Sequence, residues 1–250
     1  MPTGEPNFIL YAQHGWADNY QAIAALAKSV AIEKTEIIAP DLGYLRTCLR
    51  IEKLVQTVEK IATENITKYP GVPIRIIGHS MGGLIWLEVL NRHPEWWSLI
   101  DSLVLIASPV GGADLARIFD PLGWGIGIAK DLGTNRRAIA EKIAATIPTL
   151  VIAGDVDGGS DGTITVGTAK FRFTHFVYLS GLSHGALKNH PSVAAAISRF
   201  WEQKKSLPDL DPEIERLIQQ LQAVAGITDA HQRDFALPSL SICRGFLTRL

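Results

Sequence analysis

The chain has 250 residues, 47% of them hydrophobic and 20% charged, and a formal net charge of −1 at pH 7. These values exclude a disordered chain and match one globular domain of ordinary α/β size. Because the chain has no basic excess, we expect no nucleic-acid partner.

The sequence gives no sign of secretion, of a membrane span or of a metal site. The first residues lack the basic start and the apolar run of a signal peptide. No stretch approaches the ~20 uninterrupted apolar residues of a membrane span. The two cysteines, Cys48 and Cys243, lack metal-ligand spacing and are expected to be free thiols. We therefore expect a cytoplasmic protein without a metal.

Short apolar runs alternate with amphipathic segments along the first 205 residues. The predicted strands lie at 8–12, 36–40, 74–77, 103–107, 149–153 and 174–179. The predicted helices lie between or after them, at about 20–30, 46–68, 83–92 and 192–205. Such an alternation predicts an α/β protein with a mostly parallel sheet and helices on both faces.

The stretch from Ile74 to Gly83 carries the strongest chemical signal. An apolar run predicts a buried strand at its start, and apolar residues at helical spacing follow its end. Between them, Gly78 and Gly82 flank Ser80 in the pattern Gly-x-Ser-x-Gly, which in this context indicates a nucleophile on a strained turn. Glycine is needed at both places because a Cβ there would collide with neighbouring backbone. The following helix directs its free amides at a developing negative oxygen.

Residues 78–83, Gly-His-Ser-Met-Gly-Gly, resemble the nucleophile elbow of the α/β-hydrolase family, in particular of small lipases and the PGAP1-like deacylases. The resemblance covers residues 8–200 and implies an α/β-hydrolase fold with a mostly parallel central sheet of about six strands. It also implies a minimal form that lacks the usual leading antiparallel strands. By the same resemblance, the backbone N–H groups of Trp16, in the loop after the first strand, and of Met81 form the oxyanion hole.

Residues 113–145 interleave large apolar side chains with glycines between two core strands. Insertions of this kind over the strand ends are typical of caps or lids that line a substrate pocket, and a plain surface helix with a loop is the alternative. We expect Leu115, Phe119 and Trp124 to contact substrate there. His14 is assigned to the same pocket, although a histidine that holds its loop by hydrogen bonds is favoured over direct catalysis.

A serine hydroxyl needs a neighbouring base to become a nucleophile. His184 is the candidate, because it lies in Gly-Leu-Ser-His-Gly just past the last strand, where the family places its histidine. The acid that orients this histidine is Asp161 or Asp157, both in one glycine-rich loop. Asp161 opens Asp-Gly-Thr-Ile-Thr-Val, which resembles the acid-bearing segment of small lipases. We choose Asp161, with Asp157 as the alternative acid.

Residues 206–250 are predicted to form a C-terminal helical extension beyond a hydrolase domain at 1–205. A stripe of apolar residues at helical spacing begins after Asp211. We favour packing of this extension on the domain's own flank. A dimer contact and a peripheral membrane contact are the alternatives.

The function predicted from these residues is carboxylic-ester hydrolysis, as in a serine esterase or lipase, through an acyl-enzyme on Ser80. The expected substrate is a small-molecule ester or a lipid-like molecule, and no cofactor is required. The alternatives are an acyl-thioesterase or a transacylase of the same fold, or a non-catalytic binding protein built on it.

Overall fold

The computed structural model describes residues 5–44, 47, 50–112 and 131–206. The chain divides into two units, Met1–Ile197 and Ser198–Leu250, and the sheet belongs to the first. The predicted pocket residues of the cap, Leu115, Phe119 and Trp124, lie outside the described residues, as does the chain after residue 206.

Six parallel strands form one sheet in the order β2-β1-β3-β4-β5-β6. Every neighbouring pair is parallel, so both the expected number of strands and their direction are confirmed. The strand β2 lies on one side of β1, and β3 and the strands after it lie on the other side. This reversal of strand order creates a crevice at the carboxyl ends of β1 and β3. The strands are β1 (Phe8–Gln13), β2 (Thr35–Ile38), β3 (Ile74–His79), β4 (Ile100–Ile106), β5 (Thr149–Asp155) and β6 (His175–Ser180).

Helices cover both faces of this sheet. Crossovers between parallel strands are right-handed. The connection from β1 to β2 and the connections after β2 run in opposite directions across the sheet, so their helices lie on opposite faces. The helices are α1 (Gln21–Val30), α2 (Ile51–Lys68), α3 (Met81–Arg92), α4 (Arg137–Ala144), α5 (Val166–Ala169) and α6 (Pro191–Ser206). Among the described residues, the segments Pro94–Leu99 and Ala186–Lys188 form 3-10 helices in two of the connections. Within the described ranges, none of the helices has both the length and the apolar character needed to cross a bilayer.

The strand and the helix on either side of Ser80 lie in the centre of the core. Every residue of β3 is buried, and α3 is buried around most of its circumference, from Met81 to Leu90. Each large apolar side chain buried in this way contributes roughly 1.5–3 kcal/mol to folding. The serine therefore lies between two elements that the hydrophobic core holds rigidly.

Candidate active site

Ser80 connects the last residue of β3 to the first residue of α3, and its backbone is strained. Its φ is 54° and its ψ is −124°, a conformation that residues with a side chain rarely adopt. The flanking glycines allow this geometry. A Cβ at Gly78 would lie 2.6 Å from the Cα of Gly83, and a Cβ at Gly82 would overlap the carbonyl oxygen of Gln13. The strain and the close backbone approach agree with the expected elbow.

The loop after β1 packs directly against this elbow. A Cβ at Gly15 would lie 3.0 Å from the Cβ of Ser80 and 3.4 Å from the backbone nitrogen of Met81. A side chain at Gly15 would fit only if its neighbours moved by a few tenths of an ångström. The close approach brings the loop that carries Trp16, one predicted oxyanion donor, against the residue that carries the other.

His14 determines the direction of a peptide in this loop. The Leu42 N–H donates to Nε2 of His14 at 3.0 Å, so Nε2 accepts and the ring proton is on Nδ1. Nδ1 then donates to the Gly15 carbonyl at 3.0 Å. Burial lowers the pKa of His14 and favours this neutral form. Because the Gly15 carbonyl and the Trp16 N–H belong to one planar trans peptide and point in opposite directions, the bond orients the Trp16 N–H.

The contacts of His14 are those of a structural histidine. Its side chain is fully buried, and both ring nitrogens are occupied by hydrogen bonds to backbone groups. No polar atom of the ring is left to contact a substrate. These contacts agree with the favoured interpretation of His14, that of a residue which holds its loop, and its assignment to a substrate pocket stays a prediction.

His184 and Asp161 form a histidine–carboxylate pair. Nδ1 of His184 lies 2.8 Å from Oδ2 of Asp161, whose side chain is 1% exposed. The other carboxylate oxygen accepts the N–H groups of Thr163 at 2.9 Å and Ile164 at 2.6 Å. The backbone N–H of His184 donates to the Asp161 carbonyl at 2.8 Å. A carboxylate fixed in this way holds the proton on Nδ1 and leaves Nε2 free to act as a base.

The other carboxylates of the same loop have different partners. Asp157, the alternative acid, is exposed and accepts a hydrogen bond from the backbone of its own turn. Asp155 accepts the N–H groups of residues 157–159 and the hydroxyl of Tyr178. The Tyr178 hydroxyl and these backbone bonds lower the pKa of Asp155 to about 2. Among the carboxylates of this loop, the structure pairs Asp161 with the predicted base.

Two contacts that sequence reasoning missed join the three loops of the site. His79, which precedes the serine, has its Nε2 3.1 Å from the carbonyl oxygen of His184. Lys188 lies in the histidine loop, residues 181–190, and donates to Asp18 in the oxyanion loop, residues 14–20, at 2.9 Å. These contacts join residues far apart along the chain, so no local pattern could have revealed them. They hold the elbow, the histidine loop and the oxyanion loop together at the carboxyl edge of the sheet.

Solved structures with the same architecture decide the fold. Est1E from Butyrivibrio proteoclasticus, solved with ferulic acid bound, has a TM-score of 0.58 at 15% identity, over 81% of this chain and 92% of that one. Lipase BlEst2 from Bacillus licheniformis, in its mature form, has a TM-score of 0.56 at 15% identity, over 79% of this chain and 91% of that one. The chain has the α/β-hydrolase fold.

Sequence comparisons agree with this α/β-hydrolase fold. The family model described as serine aminopeptidase, S33, matches residues 4–127. Mouse monoglyceride lipase is 27% identical over 133 residues, which is 46% of this chain. The alignment spans 41% of that lipase, so the two proteins share less than half of its length. The narrower resemblance to PGAP1-like deacylases stays a prediction.

Proposed function

We propose that this α/β-hydrolase cleaves carboxylic esters through an acyl-enzyme on Ser80. The observation that carries the proposal is the 2.8 Å bond between His184 and the buried Asp161, in a loop joined to the strained turn that presents Ser80. Acyl transfer requires a serine, an orienting acid and a base, and the order Ser80, Asp161, His184 along the chain is the one that α/β-hydrolases use. The names of two of the similar proteins, lipase BlEst2 and monoglyceride lipase, support the same reaction class.

In the proposed reaction, the Oγ of Ser80 attacks the ester carbonyl carbon while Nε2 of His184 takes its proton. Asp161 stabilises the imidazolium that forms. The N–H groups of Trp16 and Met81 donate to the oxyanion, and each such donor is worth ~3 kcal/mol in the transition state. His184 then protonates the leaving alcohol. Finally it activates a water molecule that hydrolyses the acyl-enzyme and regenerates the serine.

The proposed substrate is a small-molecule ester or a lipid-like ester. This proposal follows from the apolar residues that the sequence places at 113–145, between two strands whose carboxyl ends lie at the edge where Ser80 lies. The name of the mouse relative, a monoglyceride lipase, favours an acyl-chain ester. The division of the chain near residue 205, and a dimer or membrane contact made by its tail, stay predictions.

An activity screen with a matched serine control tests the proposed function. Wild-type protein, Ser80→Ala and Ser183→Ala are assayed against p-nitrophenyl esters and acyl thioesters of increasing chain length. Ser183 is an exposed serine that immediately precedes His184, so its loss removes a nearby hydroxyl without touching the proposed nucleophile. We expect Ser183→Ala to keep its activity and Ser80→Ala to lose at least ~10⁴-fold in kcat. Retained turnover in a folded Ser80→Ala protein would refute the assignment.

A further inference from the structure

His79 is a buried histidine for which the proposed reaction has no chemical step. The residue is 3% exposed, and its Nε2 contacts the carbonyl oxygen of His184. A carbonyl oxygen can only accept, so the ring proton lies on Nε2 and the bond is Nε2–H donating to that oxygen. The other nitrogen, Nδ1, is buried and has no hydrogen-bond partner among the described residues. The ring therefore makes one directed bond, and its acceptor is the main chain of the proposed base.

The main chain and ring of His184 are held from two sides. Its N–H and its Nδ1 both bond to Asp161, so these two contacts fix the histidine relative to the acid loop. Its carbonyl bonds to His79, which is the residue immediately before Ser80 on the elbow. The bond to His79 is therefore the direct link between the main chain of the base and the element that carries the nucleophile.

We propose that His79 is a positioning residue which sets the distance between the Nε2 of His184 and the Oγ of Ser80. The proposal rests on the proposed function, because it assigns His79 to the same acyl transfer. Without the bond, His184 would still be paired with Asp161, but its main chain would lose its hydrogen bond to the elbow. A shift of about 1 Å between reacting groups can cost on the order of 10²-fold in rate.

The surroundings of His79 favour a neutral ring. Its centroid lies 4.7 Å from that of His184, which becomes a cation when it takes the serine proton. Burial is the main cause that holds the pKa of His79 well below its usual value, and nearby His184, Lys188 and His14 lower it further. A neutral ring can keep its Nε2–H bond while the base beside it is charged.

A matched pair of amide variants tests the proposal. In His79→Gln the side-chain NH₂ reaches about as far as Nε2, so it can still donate to the His184 carbonyl. In His79→Asn the same group ends near Nδ1, where the structure offers no partner. We expect His79→Asn to lose 10- to 100-fold in kcat with little change in KM, and His79→Gln to stay within about threefold of wild type. Equal losses in both folded variants, or full activity of His79→Asn, would overturn the proposal.

Histidine NMR of the wild-type protein gives a second test that needs neither a folded variant nor a substrate. Nitrogen-15 shifts report which ring nitrogen of His79 carries the proton, and we expect a slowly exchanging Nε2–H. A proton on Nδ1 would overturn the proposal, because Nε2 could then no longer donate to the His184 carbonyl. If wild-type protein hydrolyses no ester or thioester while the Nε2–H is observed, the proposed function fails and the hydrogen bond itself stands.

Discussion

Three histidines lie close to the candidate site, and their hydrogen bonds distinguish their roles. His184 is paired with a carboxylate through Nδ1, which is the arrangement of a general base. His14 and His79 bond to backbone carbonyls, and burial lowers the pKa of both. The neutral ring of His14 holds the main chain of the oxyanion loop in place, and that of His79 holds the main chain of the histidine loop.

A comparison of two aspartates tests the choice of acid at the level of single residues. Asp161→Asn should lower kcat by about 10⁴-fold, because an amide cannot hold His184 in the required tautomer or stabilise its cation. Asp157→Asn should change kcat by less than threefold, because Asp157 is exposed and, among the described residues, its carboxylate bonds within its own turn. Steady-state kinetics of the two variants measure the difference. A larger loss in Asp157→Asn would move the acid to that position.

Residues in short local motifs could be assigned a role from the sequence, whereas roles that depend on contacts between distant residues could not. Ser80 and His184 stand in short motifs with glycines, which a single sequence displays. The choice between Asp161 and Asp157 stayed open because both lie in one loop, and only the fold shows which carboxylate meets the histidine. The bond from His79 to His184 joins residues 105 positions apart, so no local pattern predicts it.

At the scale of elements, the turn from β3 to α3 depends on close backbone packing. The sequence predicted this helix from residue 83, and it begins at Met81, because the two following glycines lie inside the helix and not before it. A Cβ at Gly83 would overlap the hydroxyl of Ser108, and one at Gly82 would overlap backbone of the oxyanion loop. These glycines reflect tertiary contacts, which local propensity does not encode.

Substitution of a single elbow glycine tests this packing. Gly78→Ala should destabilise the protein by about 2 kcal/mol or more, because its Cβ would meet the backbone of Gly83 at 2.6 Å and the core cannot move away. Gly167→Ala, in α5, is the matched control, since a Cβ there has open space. Urea unfolding followed by circular dichroism compares them. Equal stability of the two variants would contradict the tight elbow.

Across the whole molecule, the two edges of the sheet differ: one holds the candidate site, and the other holds a cluster of charged side chains around His93. The carboxyl edge holds the candidate site. The helix α3 runs back from it and ends at the opposite edge beside His93, which bonds Glu95 at 2.7 Å and Glu59 at 2.6 Å. Burial alone would lower the pKa of His93, but the two carboxylates raise it above its usual value. This cluster connects α2 to the segment after α3 and contributes to stability.

The raised pKa of His93 makes that contribution depend on pH. A group with a higher pKa in the folded state contributes fully below its unfolded pKa of about 6.5, and the contribution disappears as pH rises through the folded value. His93→Gln should therefore lower the free energy of unfolding more at pH 5 than at pH 9. The difference should be no more than about 1 kcal/mol, because the partners are partly exposed. Urea titrations at both pH values measure it, and an equal loss at both would contradict the assignment.

Covalent labelling identifies the nucleophilic serine. A fluorophosphonate is incubated with the wild-type protein, and the modified peptide is identified by mass spectrometry. If Ser80 is activated by His184 as proposed, one phosphonyl group should be found on Ser80, and labelling should slow strongly in His184→Gln. A phosphonyl group on a different residue, or ester hydrolysis by a protein that the fluorophosphonate fails to modify at Ser80, would contradict the assignment of Ser80 as the nucleophile.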